Sequence, residues 1–567
     1  MIDLKTYLPT TRKELDLRGW DTVDVILFSG DAYIDHPQFG AAVIGRVLEQ
    51  AGYRVALVPQ PDWRGDHRDF TKLGRPRLFF AITAGAMDSM VNHYTAAKRL
   101  RSDDAFTPEG RAGARPDYCT ITYCHILRRL FPDVPIVIGG IEASMRRLAH
   151  YDYWSDRLMP SILVDSTADM LIYGAGEQAI VDIARRGMQP DIPQTAFIGP
   201  MPERSDDTIF LHSFGEEQRD KRLHAEDFRL METESNKIHA KTLVQPLDDH
   251  SGRAVIVNPP YPPMTTEQLD AIYDLPFQYL PHPKYRGKRI PAYDMICFSV
   301  CLHRGCFGGC SFCTISMHQG KQIVSRSKAS ILRQIDRLKD LPDWKGYISD
   351  LGGPSANMYR MGGIDRTLCE RCARPSCLQP AICKNLSRDF SPLLDIYRTV
   401  DSLPYVKRAY VGSGVRYDYM SEDYARQLIT RHVSGRLKVA PEHTSDTVLR
   451  LMRKPLWSEY RRFSELFHRI NAEAGLHQQL IPYFISSHPG CTNRDMAGLA
   501  EETKRMHYRP EQVQDFTPTP MTLSTTMFYT GLNPYTMQPV YVAKTKQEKQ
   551  AQNKYFFWWK DPKKQTK

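Results

Sequence analysis

CLHRGCFGGCSFCTI (301–315) places four cysteines in thirteen positions, the last three separated by three residues and then by two. Just upstream, AYDMICFSV (292–300) reads as a strand, so the thiols fall on the loop that leaves it. Five more strand candidates follow: GYISDL (346–351), KRAYVGS (407–413), RLKVAP (436–441), QLIPYFI (479–485) and EQVQDFT (511–517). Helical patterns lie between them. In KASILRQIDRLKDL, Ile331, Leu332, Ile335 and Leu338 share one face. In SEYRRFSELFHRINAEAG, Phe463, Leu466, Phe467 and Ile470 do, with Gly475 as the stop. Six βα repeats predict a partial (β/α)6 barrel over 291–540, with its chemistry at the C-terminal ends of the strands. The cysteine loop sits at the first of those ends.

The rest of the chain is organised differently. VDVILF (23–28), YRVALV (53–58), RLFFAIT (77–83), VPIVIGG (134–140) and DMLIYG (169–174) read as buried strands. They alternate with AAVIGRVLEQAG (41–52) and QAIVDIARRG (178–187), helices closed by glycine. That rhythm predicts an α/β, doubly wound, Rossmann-like parallel sheet over 1–205. Polar PERSDDTIF opens a stretch, 206–290, that reads as a connector. Residues 541–567 form a basic, aromatic tail.

Composition narrows the setting. At 567 residues, 42% hydrophobic and 25% charged, the chain is ordinary globular protein with room for more than one core. No run approaches the roughly 18 apolar residues of a membrane span, so no membrane partner is expected. MIDLKTYLPTTRKEL lacks the apolar centre of a secretory signal, which makes the cytoplasm the expected address. There, twelve cysteines point to metal rather than disulfides, and nine of them fall within 297–313 and 369–383. The net charge of +10 is uneven: eight lysines against Glu548 and Asp561 give the tail +6. Its Tyr555, Phe556, Phe557, Trp558 and Trp559 could stack on RNA, or could be the apolar face of a helix docked on the body.

Cys306, Cys310 and Cys313 are the candidate metal ligands. A structural zinc site closes with four protein ligands, and here the fourth would be Cys301 or His303. An iron–sulfur cubane can instead be held by three thiolates, leaving one iron open. Gly308 and Gly309 permit the tight backbone such wrapping needs.

CFGGCSFC resembles the CxxxCxΦC signature of the radical S-adenosylmethionine (SAM) superfamily, with Phe312 as Φ. The resemblance implies a 4Fe–4S cluster on Cys306, Cys310 and Cys313, with SAM chelated by the open iron. It also implies a cytoplasmic one-electron reductant, and cleavage of SAM to methionine and a 5′-deoxyadenosyl radical that abstracts hydrogen from a substrate. Gly352 and Gly353 in DLGGPSANMY resemble the GGE-type motif near the SAM amino group, with Pro354 in the acidic position; a simple glycine turn is the alternative. VAPEHTSDTVLRLM (439–452) resembles a fourth-strand segment of methylthiotransferases, one residue shorter. It offers Glu442 and His443 toward the SAM ribose, or as supports behind the site. HPQFGAAVIGRVLEQAGYRVALVPQPDW, IYGAGE, NPPYPPMT, SGVRYD, KVAPEHTSDTVLRLMRKP and QVQDFTPTPMTLSTTMFYTG extend the likeness over nearly the whole chain to the YgiQ-type radical SAM proteins. That subfamily implies the cofactor and leaves the substrate unidentified.

CERCARPSCLQPAIC, in an insertion at 365–385, brings Cys369, Cys372, Cys377 and Cys383 into fifteen residues, enough for a second zinc or iron–sulfur site. The N-terminal sheet also resembles a cobalamin-binding domain, although DHPQFG (35–40) misses the DxHxxG pattern; cobalamin stays open. Cys119 and Cys124 are one thiol short of the N-terminal cluster of methylthiotransferases. NPPY (258–261) mimics an amino-methyltransferase motif but reads more simply as an extended linker. The alternative to an enzyme is a non-catalytic, zinc-stabilised binding protein that contacts RNA through its tail.

Overall fold

The computed structural model describes residues 3–560 in two units, one of 3–219 with 238–297 and one of 220–237 with 298–560. The first is built on a nine-stranded sheet. β1 (Val25–Ser29), β2 (Val55–Pro59), β3 (Phe79–Thr83), β4 (Ile136–Gly139) and β5 (Met170–Ile172) run parallel in the order 2-1-3-4-5. This is a doubly wound order, in which ligand crevices open beyond the C-terminal strand ends. VILFS and VALVP are buried at every position, because helices cover both faces of such a sheet. Among the covering elements are Gly40–Gln50 and Glu177–Arg186, the latter ending at Gly187 with φ +77°.

The stretch expected to be a connector is built into both units. β6 (Thr195–Pro200) pairs antiparallel with β5, and β9 (Arg253–Val257) with β6. β8 (Thr242–Pro246) pairs antiparallel with β9, and β7 (Thr208–Phe210) lies parallel to β8 at the sheet edge. RAVIV carries the β-branched, apolar signal of a strand, but the polar loops around it hide that signal in a linear reading. Helix Lys221–Ser235 belongs to the second unit, where its His224 meets the Tyr529 ring edge-on at 5.4 Å.

The second unit follows the expected βα repeat. β10 (Ser299–Cys301) lies parallel to β12 (Asp350–Gly352), and the preceding β11 (Tyr347–Ile348) lies parallel to β13 (Arg408–Ala409). β14 (Arg436–Glu442), β15 (Gln479–Ser486) and β16 (Gln512–Asp515) complete a second parallel set. Lys328–Leu338, Ser391–Asp401, Trp457–Glu473 and Asn493–Arg505 are the main intervening helices. In Trp457–Glu473, Phe463, Phe467 and Ile470 are buried as their spacing requires, each worth about 1.5–3 kcal/mol. The first strand is shorter than its sequence suggests. Pro291 starts a short helix, Pro291–Ile296, in the first unit, so only Ser299–Cys301 of the expected 292–300 is extended.

Among the described residues no helix is long and apolar enough to cross a membrane. The tail forms helix Lys546–Asn553 and a 3-10 turn, Lys554–Lys560; its last seven residues lie outside the described ones.

Candidate metal centre

The cysteine loop is closed at its base by an antiparallel pair, His303–Arg304 with Val324–Ser325. Cys306 N–H donates to Gly320 O at 3.1 Å, and Cys313 N–H to Cys310 O at 3.1 Å, which fixes the backbone that carries the thiols. A Cβ on Gly308 would stand 3.4 Å from Cys306 Sγ and 3.9 Å from Cys310 Sγ, so both sulfurs flank the same backbone atom. Gly309, at φ +59°, is fixed by two constraints: the left-handed backbone, and the Pro375 carbonyl that a side chain would strike. Burial, with Cys310 alongside, pushes the Cys306 thiol up and the Cys313 thiol up to about 12. A metal entering here must therefore displace protons.

A cation stands beside these thiols. Arg416 Nη1 donates to Cys310 Sγ at 3.4 Å, while Nε and Nη2 grip Asp418 at 2.9 and 2.8 Å. Asn357, fully buried in the DLGGPSANMY segment, locks the Arg416 loop. Its Nδ2 donates to Arg416 O at 2.9 Å and Tyr419 O at 2.8 Å, and its Oδ1 accepts from Arg416 N at 2.9 Å. Lys454 is a second buried cation whose charge lowers the pKa of both Cys306 and Cys313. Arg416 and Lys454 were not singled out from the sequence. SGVRYD and KVAPEHTSDTVLRLMRKP were recognised as motifs, but only the fold brings their cations to thiols more than 100 residues away.

Glu442 ends β14 at φ +71°, just past a register irregularity that begins at Val439. Its side chain is buried, Oε1 takes Lys454 Nζ at 3.5 Å, and Oε2 has no protein partner. Burial raises its pKa against the pull of Lys454 and Arg416. His443 is engaged locally: Nδ1 accepts from Thr444 N and Ser445 N, both at 2.9 Å, at the start of helix Asp446–Met452. Gly352 and Gly353 have packing reasons to be glycine. A Cβ would meet Ser413 Oγ at 2.8 Å from the first and the His303 ring at 2.5 Å from the second. Phe312 lies edge-on to His488, 6.1 Å between ring centres.

The insertion sits directly on the cysteine loop. Ser376 Oγ donates to Gly308 O at 2.7 Å and Cys377 N–H to Phe307 O at 3.0 Å. Neither fourth ligand of the zinc alternative is turned toward the other thiols: Cys301 Sγ donates to His303 O at 3.1 Å, and the His303 ring covers Gly353. Among the described residues no three such side chains are gathered on one point in single-ion geometry. A cubane makes no such demand, because each of its thiolates binds a different iron. Sequence, donor set and adjacent cations all fit that group.

The remaining candidates sit in their own packing. His36 is buried against Tyr279, accepts from Gln38 N at 3.2 Å, and is held at a pKa of about 3 by burial. Cys119 and Cys124 are buried in helix Cys119–Leu130, which raises both thiols. Asn258 of NPPY donates to Pro190 O and Ile192 O at 2.8 Å and so is already satisfied. In the tail, Phe556 is buried and Trp558 Nε1 donates to Thr503 Oγ1 at 3.2 Å, a docked arrangement.

The chain is similar to several known proteins. Residues 7–299 match the family model described as Radical SAM N-terminal, and residues 511–565 match a domain of unknown function, DUF3362. A UPF0313 protein of Bacteroides thetaiotaomicron is 58% identical, over 98% of this chain and 94% of its own length. One from Porphyromonas gingivalis is 55% identical, over 98% and 91%. A solved structure of TsrM from Kitasatospora setae, a radical S-adenosylmethionine methyltransferase with cobalamin and a 4Fe–4S cluster bound, aligns with 88% of this chain and 77% of its own. That alignment has a TM-score of 0.48 at 14% identity. The full-length relatives and the N-terminal family model place the chain in the UPF0313 family, the YgiQ-type branch of the radical SAM superfamily.

Proposed function

We propose that the second unit is a radical SAM catalytic core in which Cys306, Cys310 and Cys313 hold three irons of a 4Fe–4S cluster and the fourth iron receives SAM. The observation that carries this reading is the buried Arg416 cation, 3.4 Å from Cys310 Sγ, beside a loop whose thiols flank Gly308. Three thiolates bring three negative charges into a buried loop, and Arg416 and Lys454 offset two of them. A cluster held by Cys306, Cys310 and Cys313 would supply one electron, received from a one-electron reductant, for cleavage of SAM to methionine and a 5′-deoxyadenosyl radical able to take hydrogen from a substrate.

The chain's own groups hold and orient. Asp418 and Asn357 fix Arg416 so that its charge costs no rearrangement as the centre is reduced. Glu442 keeps one carboxylate oxygen free in a buried site, an acceptor for an amine or hydroxyl of SAM. A cleft of about 1500 Å³ runs along Tyr417 and Asp418, next in sequence to Arg416, with Arg374, Arg388 and Arg450 on its walls. It is large enough to take a small-molecule substrate.

Anaerobically reconstituted, reduced protein is expected to release 5′-deoxyadenosine from SAM, and Cys310→Ala to abolish the release. Undiminished release from that variant overturns the assignment.

A further inference from the structure

The four thiols of the insertion are neighbours in space as well as in sequence. Cys372 N–H donates to Cys369 O at 3.1 Å and Cys383 N–H to Cys377 O at 2.7 Å, folding each later cysteine back onto an earlier one. None is in a disulfide, and the Cys377 thiol feels the charge of the other three. Two donors are aimed at sulfur: Asn385 Nδ2 at Cys369 Sγ, 3.4 Å, and the buried Lys321 Nζ at Cys372 Sγ, 3.5 Å. The segment has little apolar material of its own. Ile364 and Leu368 are 74% and 59% exposed, and its only α-helix is the five-residue Arg366–Glu370. A stretch of that kind holds its shape through a cross-link rather than a core.

We propose that Cys369, Cys372, Cys377 and Cys383 form a second, four-thiolate iron–sulfur centre, each thiolate on its own iron, whose loading clamps the cluster loop. Its ligand Cys377 donates its N–H to Phe307 O, its neighbour Ser376 holds Gly308 O, and Pro375 closes over Gly309. From the other side, Gly320 O receives Cys306 N–H while the adjacent Lys321 holds Cys372 Sγ and, at 2.7 Å, Arg374 O. Ordering the insertion thus fixes the backbone on both sides of Cys306. The clamp rests on reading Cys306, Cys310 and Cys313 as cluster ligands; the second centre does not.

The test uses the full chain purified without oxygen. A variant with Cys306, Cys310 and Cys313 all changed to Ala is expected to retain about four irons per chain. The pair Cys372→Ser and Cys383→Ser is expected to lose that metal, and to lower both cluster loading and 5′-deoxyadenosine release tenfold or more. Ser376→Ala should keep the second metal and still release several-fold less. A metal-free triple alanine variant with native circular dichroism overturns the second centre. Full cluster loading in the Cys372/Cys383 pair overturns the clamp. Metal retained by the triple variant, with no 5′-deoxyadenosine from the unaltered chain, would sink the radical SAM reading and leave the second centre standing.

Discussion

Arg416 reaches Cys310 across 106 positions of sequence, Nη1 to Sγ at 3.4 Å, while Asp418 holds the rest of the guanidinium. The contact places a fixed positive charge against the thiol side of the loop. Removing it by Arg416→Gln should make the bound cluster harder to reduce and cut 5′-deoxyadenosine release by about tenfold or more. A redox titration checks the first effect; an unchanged midpoint potential would mean the cation plays no electrostatic part.

Glu442 presents one unpartnered oxygen in a buried setting. If that oxygen accepts from SAM, Glu442→Gln weakens a charge-assisted bond of about 1.5–3 kcal/mol, roughly 10–100-fold in SAM affinity. Equilibrium dialysis with the loaded protein measures it. Undiminished affinity removes Glu442 from the SAM site.

Gly309 and Gly362 make a controlled pair. Alanine at Gly309 meets both a left-handed backbone and the Pro375 carbonyl, whereas alanine at Gly362 meets nothing within 4 Å. Gly309→Ala should therefore prevent normal cluster incorporation, seen as lost iron and lost visible absorbance, and Gly362→Ala should not. Equal iron contents would show that the insertion's seat on the loop is unimportant.

Acid should destabilise the fold through its buried imidazoles. Burial holds His36 at about 3 and His224 and His443 at about 4, so all three are neutral in the folded chain at pH 6. Unfolding returns each to about 6.5, so below that pH the unfolded chain binds more protons. Their contribution is complete above pH 6.5 and falls as pH drops toward 4, by about 1.4 kcal/mol per pH unit for each histidine. Asp31, raised to about 6 by burial, acts oppositely between about 4 and 6 and offsets one of the three. The urea midpoint should drop between pH 6.5 and 4.5, and His36→Gln should flatten that drop. A flat profile in the unaltered chain contradicts the argument.

Much of this architecture is readable before any coordinates. The five parallel strands of the first unit are unbroken apolar runs, and the cysteine spacing following a strand names its own loop. Reading fails where partners are distant or signals short. β7 and β8 are three and five residues long, with polar segments between them, and read in sequence as a connector. Pro291 diverts half of an apparent strand into a helix. The cations at Arg416 and Lys454 look like ordinary surface charges in a linear sequence; only burial beside thiols gives them meaning. Asn357 is less legible still, since its role is to hold another residue's backbone.

Helix Lys221–Ser235 lies early in the chain but is used late. Its Glu232 binds Arg453 at 2.7 and 3.0 Å and accepts from the Tyr535 hydroxyl, and its His224 rests on Tyr529. At translation rates of about 5–20 residues per second, those last partners leave the ribosome roughly 15–60 s after the helix does. The nascent protein must carry an unclaimed strap until synthesis is nearly complete. Severing the chain between 297 and 298 would likewise yield a C-terminal fragment deprived of Glu232, with Arg453 left as a buried charge seeking a counterion.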